Sequence, residues 1–314
     1  MNSVKMINEN KFVFFVLVTS FFLFGCFSEE LAKGKRTQIV TAELKLKTTD
    51  EIKLPKQSKS LSWGGADHNK RFNSNFLLSR APKEVWRISS GLNSIVGMPL
   101  IFKHKLYAVD KNGNLKCFDL KTKEENWNIS LIPPGEKGAN LVGGGLAIDS
   151  TATLYATTSF GEVVSISTVS EDVLWRYKFN SPFLASPTVL KNGIIVINAS
   201  GDARFFSSQG KLNWFLDGSD SKHIRSITGR PISVNDMLLL PTSGGSLNAV
   251  DQKTGFELWS FNFDSQRKGY ARSVFGTFDG DPIVSNGKIF YGSANGQFVS
   301  LGFDGEKKGT FKYL

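Results

Sequence analysis

At 314 residues the chain is long enough for one large domain or two ordinary ones, and 40% hydrophobic with 21% charged residues excludes wholesale disorder. The 30 glycines, many beside Asn or Asp as in Asn112-Gly113, Asn286-Gly287 and Asp304-Gly305, are turn signals, and 26 phenylalanines among many Val and Ile favour strand over helix. The formal charge of +10 is dispersed, with no Lys/Arg run interleaved with aromatics, so no nucleic-acid partner is expected.

The amino terminus carries Lys5 and Lys11, then an apolar stretch from Phe12 to Phe24. That stretch is shorter than the about 20 residues a membrane-crossing helix needs, and its flanks are those of a secretory signal peptide over residues 1–25. It ends in Leu23-Phe24-Gly25-Cys26, which resembles the bacterial lipobox, although Phe24 departs from the smaller residue usual there. The resemblance implies that Cys26 is acylated and becomes the new amino terminus, anchored by its lipid chains. Phe27 stands where inner-membrane lipoproteins commonly carry Asp, which implies sorting to the outer membrane. Cys117 is then the only other cysteine, so no intramolecular disulfide is expected. Its place in Leu115-Lys116-Cys117-Phe118 reads as a buried, inert thiol.

From Glu29 to Ser60 the chain is polar, Lys-rich and nearly free of aromatics, so residues 26–60 read as a lipidated flexible tether. The pattern there permits a short helix over Thr41–Lys47. Residues 61–314 read as one β-rich domain that repeats itself. Trp86, Trp127, Trp175, Trp214 and Trp259 recur at similar intervals, and before the last four stands a common phrase. The copies begin at Leu106-Tyr-Ala-Val-Asp, Leu154-Tyr-Ala-Thr-Thr, Ile195-Val-Ile-Asn-Ala and Leu238-Leu-Leu-Pro-Thr. A fifth, from Ile289, runs to Phe311 in place of Trp. Each unit holds short alternating apolar stretches separated by Gly, Asn or Asp, which amounts to four antiparallel strands in about 40 to 50 residues, the size of a propeller blade. A sandwich would need no recurring phrase, and a parallel β-helix repeats over a much shorter length. The expected fold is an all-β propeller of four-stranded antiparallel blades, about five of them visible, with Pro82–Ser89 as an N-terminal closing strand.

Ala249-Val-Asp-Gln-Lys-Thr-Gly-Phe-Glu-Leu-Trp259 closely resembles the quinoprotein-type repeat, and Asp119 to Trp127 is a degraded copy. In such a repeat Asp and Thr cap a tight turn, Gly takes a positive φ, and Trp packs between blades. Trp63-Gly64-Gly65 with His68, Asn75 and Trp86, and Gly143-Gly144-Gly145-Leu146-Ala147-Ile148-Asp149 with Thr157 to Val164, resemble the BamB family of outer-membrane assembly lipoproteins, in its alphaproteobacterial type. That resemblance implies a non-enzymatic scaffold, lipid-anchored in the outer membrane and facing the periplasm. It implies a BamA-like partner, gripped at its POTRA domains through inter-blade loops, and unfolded outer-membrane proteins as further clients. Carried over to this chain, the contacts are Ile224 and Arg225 before Pro231, and Asp279 and Asp281 before Pro282; the first of the family's two aspartates would fall on Thr277 and is absent.

No catalytic, cofactor-binding or metal-binding residue is expected. His68, His104 and His223 are scattered, no Cys-Cys pair or Gly-x-Ser-x-Gly elbow occurs, and Gly143–Gly145 is followed by strand rather than helix signals. Close backbone packing at a blade entrance is the expected task of those glycines. Two rivals stay open: a quinone-dependent dehydrogenase, which shares the repeat, and a free-standing periplasmic propeller that binds a ligand in its channel. The family is eight-bladed, whereas five units fit before the strand-like Lys312-Tyr313-Leu314, so a truncated chain is expected in preference to a ring closed by other means.

Overall fold

The computed structural model describes residues 87, 90–136, 140–218, 229–241, 246–262, 280–292 and 297–312. The expected signal peptide, Cys26, the tether with its Thr41–Lys47 helix and, apart from Arg87, the Pro82–Ser89 strand lie outside them. Among the described residues every regular element is a strand, and the strands form five four-stranded antiparallel sheets, each built from consecutive strands. Blade 1 joins β1 (Ile95–Phe102), β2 (Lys105–Asp110), β3 (Asn114–Asp119) and β4 (Glu125–Ser130). Blade 2 holds β5 (Gly144–Ile148), β6 (Thr153–Thr158), β7 (Glu162–Ser167) and β8 (Val173–Lys178). Blade 3 holds β9 (Thr188–Leu190), β10 (Gly193–Ile197), β11 (Ala203–Phe206) and β12 (Leu212–Leu216). Blade 4 holds β13 (Ile232–Val234), β14 (Met237–Pro241), β15 (Ser246–Asp251) and β16 (Glu257–Asn262), and blade 5 β17 (Ile283–Ser285), β18 (Lys288–Gly292), β19 (Gln297–Leu301) and β20 (Lys307–Lys312).

The recurring phrases are the second strands, which are wholly buried in β10 and β14 because their apolar side chains face a neighbouring blade on either side. First strands of successive blades touch, β1 with β5, β5 with β9 and β9 with β13, which makes them the inner edges of the blades. Fourth strands are the outer edges, and β4, β8 and β16 are correspondingly exposed along much of their length. The core lies between blades rather than within them. One buried cluster runs from Leu100 and Tyr107 of blade 1 to Leu154 and Ile166 of blade 2, and separate clusters fill the seams of blades 2 and 3, 3 and 4, and 4 and 5.

The tryptophans close these seams from the outer edge. In all five blades the pairing of the third and fourth strands shifts register at the same place, just before the turn that joins them. Such a bulge adds twist to the outer strand. Trp175, Trp214 and Trp259 then lie on the third turn of the following blade, and their Nε1 atoms donate to the carbonyls of Ser208 (3.0 Å), Gln252 (3.0 Å) and Phe303 (2.8 Å). Gly210, Gly255 and Gly305 form the floor beneath the indoles, each at positive φ; a Cβ on any of them would lie within 2.9 Å of a ring atom. The Asp251 turn behaves as its phrase predicts. The carboxylate accepts from the Thr254 hydroxyl and from the backbone N–H of Thr254 and Lys253, and these bonds hold it below the usual carboxylate range.

The Gly143–Gly145 run packs backbone on backbone at the entrance of blade 2. A Cβ on Gly144 would come 2.1 Å from the Thr157 carbonyl oxygen, and one on Gly145 would strike Ser186. Cys117 is fully buried, and burial pushes its thiol up to about 11. In the folded protein Cys117 should therefore resist a maleimide at pH 8 and react after unfolding in guanidinium; mass spectrometry of the Cys117 peptide before and after unfolding checks this.

Candidate docking site at the entrances of blades 4 and 5

Blades 2 to 5 are chained to one another where each chain segment enters its first strand. Thr157 of β6 donates to the carbonyl of Ala185 (2.7 Å), ahead of β9, and Thr188 of β9 donates to the carbonyl of Pro231, ahead of β13. At the next step the link becomes ionic. Arg230, just before Pro231, sends Nη2 (2.8 Å) and Nε (3.2 Å) to Oδ2 of Asp281, just before Pro282, while the Arg230 backbone N–H donates to Oδ1 (2.7 Å). The Arg230 side chain is 5% exposed and that of Asp281 21%. Beside the pair the two backbones meet: a Cβ on Gly229 would lie 2.3 Å from the Gly280 carbonyl oxygen. Burial holds the Tyr291 hydroxyl well above its ordinary range, and the negative charge of Asp281 adds to that.

Of the residues expected to grip a partner, Asp281 is described, and its carboxylate is engaged by Arg230. Ile224, Arg225 and Asp279 lie outside the described residues, as do His68 and His223, whereas His104 is exposed in the turn between β1 and β2. Arg230 is not among the expected contacts. Its signal was present in two successive repeats, as Gly229-Arg230-Pro231 and Gly280-Asp281-Pro282, with opposite charges at the same position. Among the described residues no three His, Cys, Asp or Glu side chains gather in a way that could hold a metal ion.

This architecture, with consecutive four-stranded blades and three of the four described seams sealed by a tryptophan on a glycine-floored turn, defines a propeller of quinoprotein-like repeats. The family model described as outer membrane protein assembly factor BamB matches residues 134–308, more than half of the chain. The chain belongs to that family. An outer membrane protein assembly factor BamB from Moranella endobia is 22% identical over 235 residues, covering 70% of this chain and 59% of the relative. The chain thus spans less than two thirds of the length of the curated relatives it matches. Among solved structures, BamB from Moraxella catarrhalis superposes with a TM-score of 0.59 at 18% identity, covering 72% of this chain and 66% of that one. A europium-containing methanol dehydrogenase superposes nearly as well, with a TM-score of 0.58 at 14% identity over 74% of this chain and 53% of that one. The fold is thus common to assembly factors and to enzymes.

Proposed function

We propose that the chain is a non-enzymatic scaffold in the machinery that assembles outer-membrane proteins, carrying no cofactor and held to the periplasmic side of the outer membrane by lipid on Cys26. Residues 26–60 serve as the tether and residues 61–314 as the propeller domain. The family match over residues 134–308 carries this reading. The entrances of blades 4 and 5 are the docking site for a BamA-like assembly subunit. Arg225 and Asp279 supply charged contacts that set register, and Ile224 supplies apolar area. Asp281 acts beside them, and unfolded outer-membrane proteins are the clients.

Co-purification of the full chain with its assembly subunit tests the reading: Arg225→Glu should cut recovery at least about tenfold, the size of effect expected for reversing an interfacial charge. Undiminished recovery would remove Arg225 from the interface. A second reading, a quinone-dependent dehydrogenase, draws on the likeness to the methanol dehydrogenase. Dye reduction by the full chain with an alcohol, Ca²⁺ and pyrroloquinoline quinone would favour that reading; loss of barrel proteins from the outer membrane on deletion of the gene favours the scaffold.

A further inference from the structure

One seam departs from the pattern of the others. Trp127 of β4 is 6% exposed, yet its Nε1 has no acceptor among the described residues. The turn it should rest on, between β7 and β8, has the same backbone bonds as its counterpart in blade 4. Glu171 N–H donates to the Ser167 carbonyl as Gly255 N–H does to Asp251, and Thr168 N–H donates to Ala152 as Gln252 N–H does to Asp236. Glu171 therefore stands where the docked seams have glycine, and the Thr168 carbonyl is the counterpart of the acceptor that Trp214 uses. A Cβ at the glycine positions would press into the indole at 2.6 to 2.9 Å, and Glu171 carries a Cβ. It also holds φ at +64°, a left-handed conformation unfavourable for Glu.

The same seam is tight elsewhere. On its inner edge β1 meets β5 so closely that a Cβ on Gly97 would lie 3.1 Å from the Gly144 carbonyl oxygen. On the side of the inter-blade linker, Arg176 of β8 donates to the carbonyls of Ser130 and Leu131. On the turn side the Tyr107 hydroxyl keeps a side-chain hydrogen bond with Thr168, and it is the Trp127 Nε1 that lacks its acceptor. The tip of that turn is Val169, 82% exposed.

We propose that this corner is a built-in compliant joint: the Trp127 part of β4 swings from the β7–β8 turn about the pinned inner edge and the Arg176 bonds at Ser130 and Leu131, and Glu171 is the residue that permits it. Each opening uncovers Trp127 and Tyr107, whose rings stand 5.8 Å apart. The joint is independent of the docking reading and concerns blades 1 and 2 alone.

Amide hydrogen exchange on the full chain tests it, with the equivalent strand β12 as the internal standard. In the wild type, β4 amides should exchange about tenfold faster than those of β12, within the range set by an unmade bond to a buried donor. Glu171→Gly removes both the Cβ and the strain, and should slow β4 to the β12 rate. Glu171→Asn tolerates the left-handed backbone but keeps a Cβ, and should leave β4 fast. Gly255→Glu should transfer the behaviour to β12. Equal protection of β4 and β12 in the wild type would overturn the proposal, as would equal slowing by Glu171→Gly and Glu171→Asn, since strain and not the missing dock would then be the cause.

Discussion

Arg176→Ala should lower the unfolding free energy by about 2 to 3 kcal/mol, because it strands a carboxylate inside the seam between blades 1 and 2. The Glu162 side chain is 9% exposed and receives Arg176 Nη1 at 2.8 Å. The same guanidinium also serves the Ser130 and Leu131 carbonyls of blade 1, so its loss removes donors from the neighbouring blade as well. Removing one member of a fully buried pair costs about 3 to 5 kcal/mol; at 23% exposure the Arg176 site admits some water, which lowers the figure. Glu162→Gln keeps the shape and an acceptor, and should cost only about 1 kcal/mol. The double replacement Arg176→Met with Glu162→Leu should return most of the stability, since neither charge is then left unpaired. Urea unfolding of the four proteins reads all of this. A loss below about 1 kcal/mol for Arg176→Ala would mean that water solvates Glu162 where it stands.

The split between what the residues announce and what they conceal follows the range of the interactions. A blade is legible because its signals are local: the Asp251 cap, the Gly255 turn and Trp259 lie within one short phrase, and the phrase recurs. The Gly143–Gly145 run is legible for the same reason, since strand signals directly after it already exclude a phosphate loop. The links between blades are set by register, and no local pattern carries them. Arg204 lies over the rings of Phe179 and Phe215 and pairs with Asp217, which joins blade 3 to the segment leaving blade 2. Arg176 with Glu162, and Arg230 with Asp281, likewise meet only once the strands are aligned. Glu171 shows the boundary between the two. Its replacement of a turn glycine can be read from the phrase, but the consequence depends on Trp127 lying over it, and that is a property of the assembled seam.

Asp281→Ala should be more damaging still, costing about 3 to 4 kcal/mol and weakening capture of the assembly subunit. The change removes the acceptor of three bonds from Arg230 and leaves a guanidinium that is 5% exposed without its counter-charge. Stability alone cannot say whether Asp281 also touches the partner, because a displaced entrance would spoil docking even if the carboxylate never met the partner. The double replacement Arg230→Met with Asp281→Leu separates the two roles. It fills the site with apolar side chains and leaves no unpaired charge, but the Arg230 backbone N–H loses its acceptor, so stability should recover to within about 2 kcal/mol of the wild type. If capture recovers with it, Asp281 works through Arg230, as the spacer that fixes the entrances of blades 4 and 5 against each other. If stability returns and capture does not, the carboxylate itself belongs to the interface. The close approach of the Gly229 and Gly280 backbones involves neither side chain, so the double variant should keep the separation of the two entrances. Recovery of both is the expected result on the proposed docking reading, in which Arg225 and Asp279 would make the direct contacts and Asp281 would hold the entrances in place.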